Sequence, residues 1–286
     1  MRKPQFQGLF YPKDYTKLEK EIQNNFLDSL GPGEFPISRK NKPIKSIIVP
    51  HASYLFSGQC AAWAYKEIAE SKIPKAYVII GPHHNKQGKV SVSVDDFETP
   101  FGVLKVNQEI VKELKEKTEL IENNGGVHND DHSVEVQLPF LQFVNKDKIN
   151  EIKIVPLLIG KISFEECLEL GEALSEIDDI TLIISTDFTH YGDEFNYKPF
   201  IYSIQNNIKN IDSKIFQFIL NQDLARLKEY VERVKNNTCG ILPIYVLLKF
   251  CKQSFIKNSR LLSYYNSMDI SGDKNKSVSY ASFIFE

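Results

Sequence analysis

Four short apolar runs constrain this chain most: IKSIIVP (44–50), AYVIIGP (76–82), EIKIVPLLIG (151–160) and ITLIIST (180–186). Each is rich in Ile and Val and too short for a buried helix, so each reads as a buried strand. Between them the apolar period changes to that of a helix. SGQCAAWAYKEIAES (57–71), NQEIVKELKEKT (107–118), SVEVQLPFLQFV (133–144) and SFEECLELGEALSEI (163–177) carry apolar residues at helical spacing. Asn107 is suited to cap its helix, and the third segment is predicted helical in spite of Pro139. KVSVSV (89–94) and GVLKV (102–106) read as a pair of alternating strands around the turn-rich DDFETPFG. The last third supplies two or three helices, one running on from Cys239, and two closing strands, LLSYYNS and SVSYASFIF. Strands alternating with helices of this length predict an α/β fold with a central, largely parallel sheet flanked by helices. In such sheets ligands bind outside the carboxyl ends of the strands.

No Gly/Ser tract, Pro-rich run or block of like charge divides the 286 residues, so one domain over 1–286 is expected. The formal net charge is −2 and no basic patch is visible, which argues against nucleic-acid binding. The opening MRKPQFQGLFYP lacks the apolar run of a signal peptide. The apolar stretches fall well short of the roughly 20 residues of a membrane span. A soluble cytoplasmic protein is the expectation. Cys60, Cys167, Cys239 and Cys251 show no CxxC pairing and read as reduced thiols.

Histidines at strand ends direct attention to chemistry. Of the six, His51 follows SIIVP, His83 and His84 follow YVIIGP, and His190 follows LIISTDFT. A single histidine is more often a surface or satisfied core residue. Three strand ends each carrying one suggest a shared site, and neutral imidazole is a ligand for Fe, Zn and Cu alike. A catalytic metal takes about three protein ligands and an open position. Side chains of adjacent extended residues point to opposite faces, so His83 and His84 are not expected to reach one site together. Periodicity does not choose between them. His128 and His132 have the i, i+4 spacing of a helical metal pair, but GGVHNDDHS is loop-like, and Asp131 reads as an N-cap for the helix that follows. His132, at that helix start, is placed to face the site. Dinucleotide, phosphate-loop, GxSxG and HExxH signatures are absent from the sequence.

The blocks VPHASYLFSGQCAAWAY (49–65), IIGPHHN (79–85), DDHSVEVQLPFL (130–141), IVPLLIG (154–160), STDFTHYG (185–192), NNTCGILPI (236–244) and SVSYASF (277–283) resemble the Memo family in order and spacing over nearly the whole chain. The resemblance implies the fold of the class III extradiol dioxygenases, which open catechol rings with non-haem iron. It implies His51, His84 and Cys239 as metal ligands, which leaves His83 as a bystander. It implies His190 in the place of the dioxygenase base, with Asp187 and His132 lining the same pocket. Asp187, three residues before His190, is expected to set that ring's charge and orientation. A thiolate in the ligand set favours Fe(II), the metal expected first, or Cu or Zn, over Mg and Mn.

Redox chemistry on an unidentified small molecule is the leading expectation. The alternative is a binding or signalling protein whose pocket takes a phosphorylated or peptide ligand, as discussed for animal members of the family; zinc-dependent hydrolysis ranks third. Prokaryotic members tend to accompany a radical-SAM protein and a small partner protein, which implies partners of that pathway. One departure stands out: Ser53 occupies a position where the family tends to have Gly, a strained choice if the backbone there needs φ > 0.

Overall fold

The computed structural model describes residues 1–273 and 275–286. The first elements are α1 (Tyr15–Leu27), β1 (Ser46–Val49), α2 (Tyr54–Ala69), β2 (Ala76–Pro82), β3 (Val90–Val92), β4 (Phe97–Thr99), β5 (Gly102–Val106), α3 (Gln108–Lys117) and β6 (Ile121–Asn123). There follow α4 (Gln137–Val144), β7 (Lys153–Ile159), α5 (Phe164–Ser175), β8 (Ile180–Ser185), β9 (His190–Tyr191), α6 (Ile204–Leu220) and α7 (Leu224–Val234). The chain closes with α8 (Ile241–Gln253), β10 (Ser259–Asn266), α9 (Ser267–Ser271) and β11 (Ser277–Phe285).

The strands join in one mixed sheet of order β10-β11-β1-β8-β2-β7-β3-β6. Its centre, β1-β8-β2-β7, is parallel, and these are the four apolar runs of the sequence. β11 closes one side antiparallel to β1, and β3 lies antiparallel to β7 on the other. Every residue of β1, β2 and β8 is buried, because helices cover both faces; hence near-continuous Ile and Val instead of alternation.

Three local expectations are corrected. KVSVSV and GVLKV do not pair with each other. The intervening DDFETPFG contains β4, which pairs with β5, while β3 pairs with β7 and β6. Helix α2 begins at Tyr54, three residues before the predicted start, and Ser53 is its N-cap at φ −60 and ψ 148, an ordinary conformation for any L-residue. Ser in place of Gly therefore carries no strain here. Helix α4 begins only at Gln137, which puts Pro139 in the first turn, where its missing N–H removes no helical hydrogen bond.

The segment before α1 is strapped to the body of the protein by one carboxylate. The buried Glu135 side chain accepts from the backbone N–H of Gln5 and of Phe6, from the Tyr11 hydroxyl, and from Arg2 Nη1 at 2.6 Å. The Arg2 guanidinium also donates to the carbonyl of His128 and lies over the Phe97 ring. This strap lays Phe10 flat on His132, ring centroids 4.1 Å apart.

Candidate metal centre

At the carboxyl ends of β1, β2 and β8 the sheet delivers three donors to one point. The ligand atoms of His51, His84 and Cys239 all lie within 4.8 Å of one another. His51 follows β1 after Pro50, His84 follows β2 after His83, and Cys239 comes from the turn entering α8.

The hydrogen-bond network fixes which nitrogen of His51 is free. Ser185 Oγ donates to the Ser133 carbonyl at 2.6 Å and accepts from Gln137 Nε2 at 2.9 Å. Its hydrogen is thus committed, so its contact with His51 Nδ1 at 3.0 Å is donated by the imidazole. Nε2 then carries the lone pair, and it lies 3.2 Å from Cys239 Sγ. Burial, with His132 and His84 adding to it, holds the His51 pKa well below the ordinary histidine value, so the ring is neutral at physiological pH.

His84 is pinned the same way by a different group. Asp131 Oδ2 accepts from the His84 backbone N–H at 2.7 Å and contacts Nδ1 at 2.8 Å. Desolvation pushes the Asp131 pKa upward, but the hydrogen bonds from His84 and Ser133 outweigh it, so the carboxyl falls below the usual range and stays ionised. Asp131 does cap a backbone turn, accepting from Ser133 N at 2.9 Å, but that turn precedes α4 and is not its N-terminus. The spacing of Gly81 matters here. A Cβ at that position would sit 2.2 Å from Ser133 Oγ, so glycine is what lets the Ser133 turn close on β2.

Cys239 Sγ accepts from the Asp187 backbone N–H at 3.2 Å. The next residue, Gly240, has its N–H on Thr186 Oγ1, and a Cβ there would meet Thr186 Cβ at 2.4 Å, so glycine allows the thiol to approach the end of β8. Burial, then the nearby Asp187, push the thiol pKa up, so without a cation it is a thiol. A divalent cation at this point would stabilise the thiolate, the form in which a cysteine serves as a ligand.

His132 stacks on His84 with centroids 4.7 Å apart and meets His51 edge-on at 5.1 Å. Burial lowers its pKa to about 4, with the neighbouring His84 contributing. His190 is clamped through its backbone: its N–H donates to Asn237 Oδ1 at 2.9 Å while Asn237 Nδ2 returns a bond to its carbonyl at 2.8 Å. Its Nδ1 is buried without a partner among the described residues, and burial lowers its pKa to about 4. The expected link from Asp187 to His190 is corrected. Asp187 accepts instead from the backbone N–H of His51 at 2.9 Å, tying the β1 loop to the β8 loop, and burial raises its pKa to about 7. Asn237 does the anchoring of His190. Nothing in the local sequence marks it, because the contact spans 47 residues.

The other histidines stand apart. His83 turns its Nδ1 to the backbone of Gln87. His128 lies in a short 3-10 turn (Gly125–Asn129), with Nε2 on the carbonyl of Ser91, and shares no metal-type group with His132 among the described residues. A cavity of about 540 Å³ opens beside His84 and Cys239, lined also by Lys86, Asn237, Ile241 and Leu242. The donor set suits a metal: two imidazoles each held by Nδ1, and a thiol that already receives a backbone N–H.

The model of the family described as Memo-like protein matches residues 2–284. A MEMO1 family protein of Methanopyrus kandleri is 34% identical over 99% of this chain and 98% of its own length. One from Thermotoga petrophila is 36% identical over 99% of each. The crystal structure of an uncharacterized protein of Escherichia coli K12 shares the fold, with a TM-score of 0.58 at 14% identity over 85% of this chain and 99% of that one. Among the described residues no helix is long and apolar enough to cross a membrane.

Proposed function

The chain belongs to the Memo family, and from that premise and the geometry of its pocket we propose a mononuclear metal centre, held by His51, His84 and Cys239, that serves redox chemistry on a small molecule. The observation that carries the reading is the convergence of these three donor atoms within 4.8 Å. Iron(II) is the metal favoured, since a mixed imidazole and thiolate set suits a borderline to soft divalent ion; copper and zinc follow. Held by these three residues, iron(II) would supply an electron source for O2 and a Lewis acid for a substrate oxygen.

The chain's own residues do the rest. Ser185 and Asp131 hold the two imidazoles by their Nδ1 atoms, so each is presented through Nε2. His190, clamped by Asn237 and neutral, accepts a proton from a substrate hydroxyl. Phe10, His132 and His84 form a stacked wall on one side of the donors. The adjoining cavity of about 540 Å³ gives room for a ligand.

Protein purified under nitrogen should carry close to one metal ion per chain, and His51→Ala and Cys239→Ala should each abolish it. Full stoichiometry in both variants would refute the reading. If the pocket only binds a peptide or phosphorylated ligand, chelation of the metal leaves that binding unchanged.

A further inference from the structure

We propose that Asp131 is a positioning residue for His84, setting its tautomer and ring direction, and is not itself a metal ligand. The inference rests on the metal-centre reading above and goes beyond it. Two donor groups overlap at this pocket: His84 with His51 and Cys239, and His84 with Asp131 and His132. Both are close enough to hold a cation, so proximity does not choose between them.

The hydrogen bonds of Asp131 do. Oδ1 accepts from Ser133 N at 2.9 Å and from Ser133 Oγ at 2.7 Å, and Oδ2 accepts from His84 N at 2.7 Å and His84 Nδ1 at 2.8 Å. A carboxylate offers about four lone-pair sites, and donors face all of them. The side chain is 1% exposed, so replacing those donors by a cation would require the Ser133 turn and the β2 loop to come apart. His84 is in the opposite situation. Its Nδ1 side faces a carboxylate, which can only accept, so the proton sits on Nδ1 and the lone pair on Nε2. A carboxylate behind a metal-binding histidine orients the ring and raises its donor strength; loss of such a partner typically weakens metal affinity 10–100-fold. His51 has a neutral hydroxyl in the equivalent place, so Asp131 is the charged orienter among the two.

Asp131→Asn provides the sharpest test. The amide replaces one of the two acceptor oxygens by an NH2 group. Whichever way the amide turns, its NH2 meets a backbone N–H, that of Ser133 or that of His84, and His84 loses its charged acceptor, so Nδ1–H is no longer enforced. Proton–nitrogen correlation NMR of the metal-free protein, with nitrogen-15 in histidine, should find His84 protonated at Nδ1 in the wild type and the Nε2–H tautomer gaining population in Asp131→Asn. Zinc(II) competition titrations should give one ion per chain in both, bound about 10–100-fold more weakly by the variant. Ser133→Ala, a milder change that removes one anchor of Oδ1 together with the Ser133 Oγ contact to the Pro82 carbonyl, should weaken zinc in the same direction by a smaller factor and serves if Asp131→Asn does not fold.

An Nδ1–H tautomer retained in Asp131→Asn with unchanged zinc affinity, or zinc affinity unchanged in Ser133→Ala where that variant alone folds, overturns the proposal. So does a wild type that binds two zinc ions and an Asp131→Asn variant that binds one, because Asp131 would then be a ligand. A wild type that binds no zinc refutes the metal-centre reading instead, and the tautomer in the metal-free protein still decides whether Asp131 sets His84.

Discussion

Replacing Glu135 by Gln tests the strap that carries Phe10 onto His132. The Glu135 side chain is 0% exposed and that of Arg2 is 3% exposed, so this ion pair has no solvent to compensate a lost charge. Phe6 N and Tyr11 OH donate to Oε1; Gln5 N and Arg2 Nη1 donate to Oε2. Whichever way a glutamine amide turns, its NH2 meets two donors, and a buried guanidinium loses its counter-charge. Removing one partner of a buried pair costs about 3–5 kcal/mol. Counting each bond to the carboxylate separately at about 1.5–3 kcal/mol would approach the whole stability of a typical domain, so the pair figure is the appropriate one. Urea unfolding followed by circular dichroism should show a lower midpoint with little change in slope. Arg2→Met in the Glu135→Gln background should recover part of the loss, because it removes the stranded charge. A destabilisation below about 1 kcal/mol would refute the argument and mean that the strap is not held by this carboxylate.

Two further outcomes follow from burial and close approach. Burial lowers the His128 pKa to about 4, from an ordinary value of 6.5, so the unfolded chain binds the extra proton between those pH values. Stability should therefore fall as pH drops from about 6.5 to about 4, by on the order of 3 kcal/mol from this residue, and urea midpoints of His128→Gln should show a shallower pH slope over that window; an unchanged slope would remove His128 as a source. Gly240→Ala puts a methyl group 2.4 Å from Thr186 Cβ, so the Cys239 turn must shift; about 1–3 kcal/mol of stability and most of the metal affinity should be lost, and a variant with full affinity would show that the turn tolerates the methyl.

The sheet was legible because its central strands are buried on both faces, and that requirement writes itself as unbroken runs such as IIV and YVII. The site was legible at the level of strand ends: His51 and His84 each stand just past such a run. Cys239 was recoverable only from the resemblance, since no period or spacing distinguishes it from Cys251. The supporting residues were hidden for a different reason. Asp131 holds His84 across 47 residues, and Ser185 holds His51 across 134. Contacts of that range leave no local pattern, so Asp131 looks like a capping residue and Ser185 like the end of a strand. The small β4-β5 hairpin was missed because its Thr99 and Gly102 stand in a stretch dense with turn-forming residues.

The three donors also have a place in time. His51 and Cys239 are 188 residues apart in the chain yet 3.2 Å apart in space. A grip of that reach cannot exist in a partly ordered chain; it is completed only when β1, β2, β8 and the turn into α8 have all docked. An ion that recognises the finished arrangement therefore acts as a latch on the whole fold. At a free concentration one hundred times its dissociation constant it would add about 2.7 kcal/mol to the unfolding free energy. Metal supply would then set how long the protein survives as well as what it does.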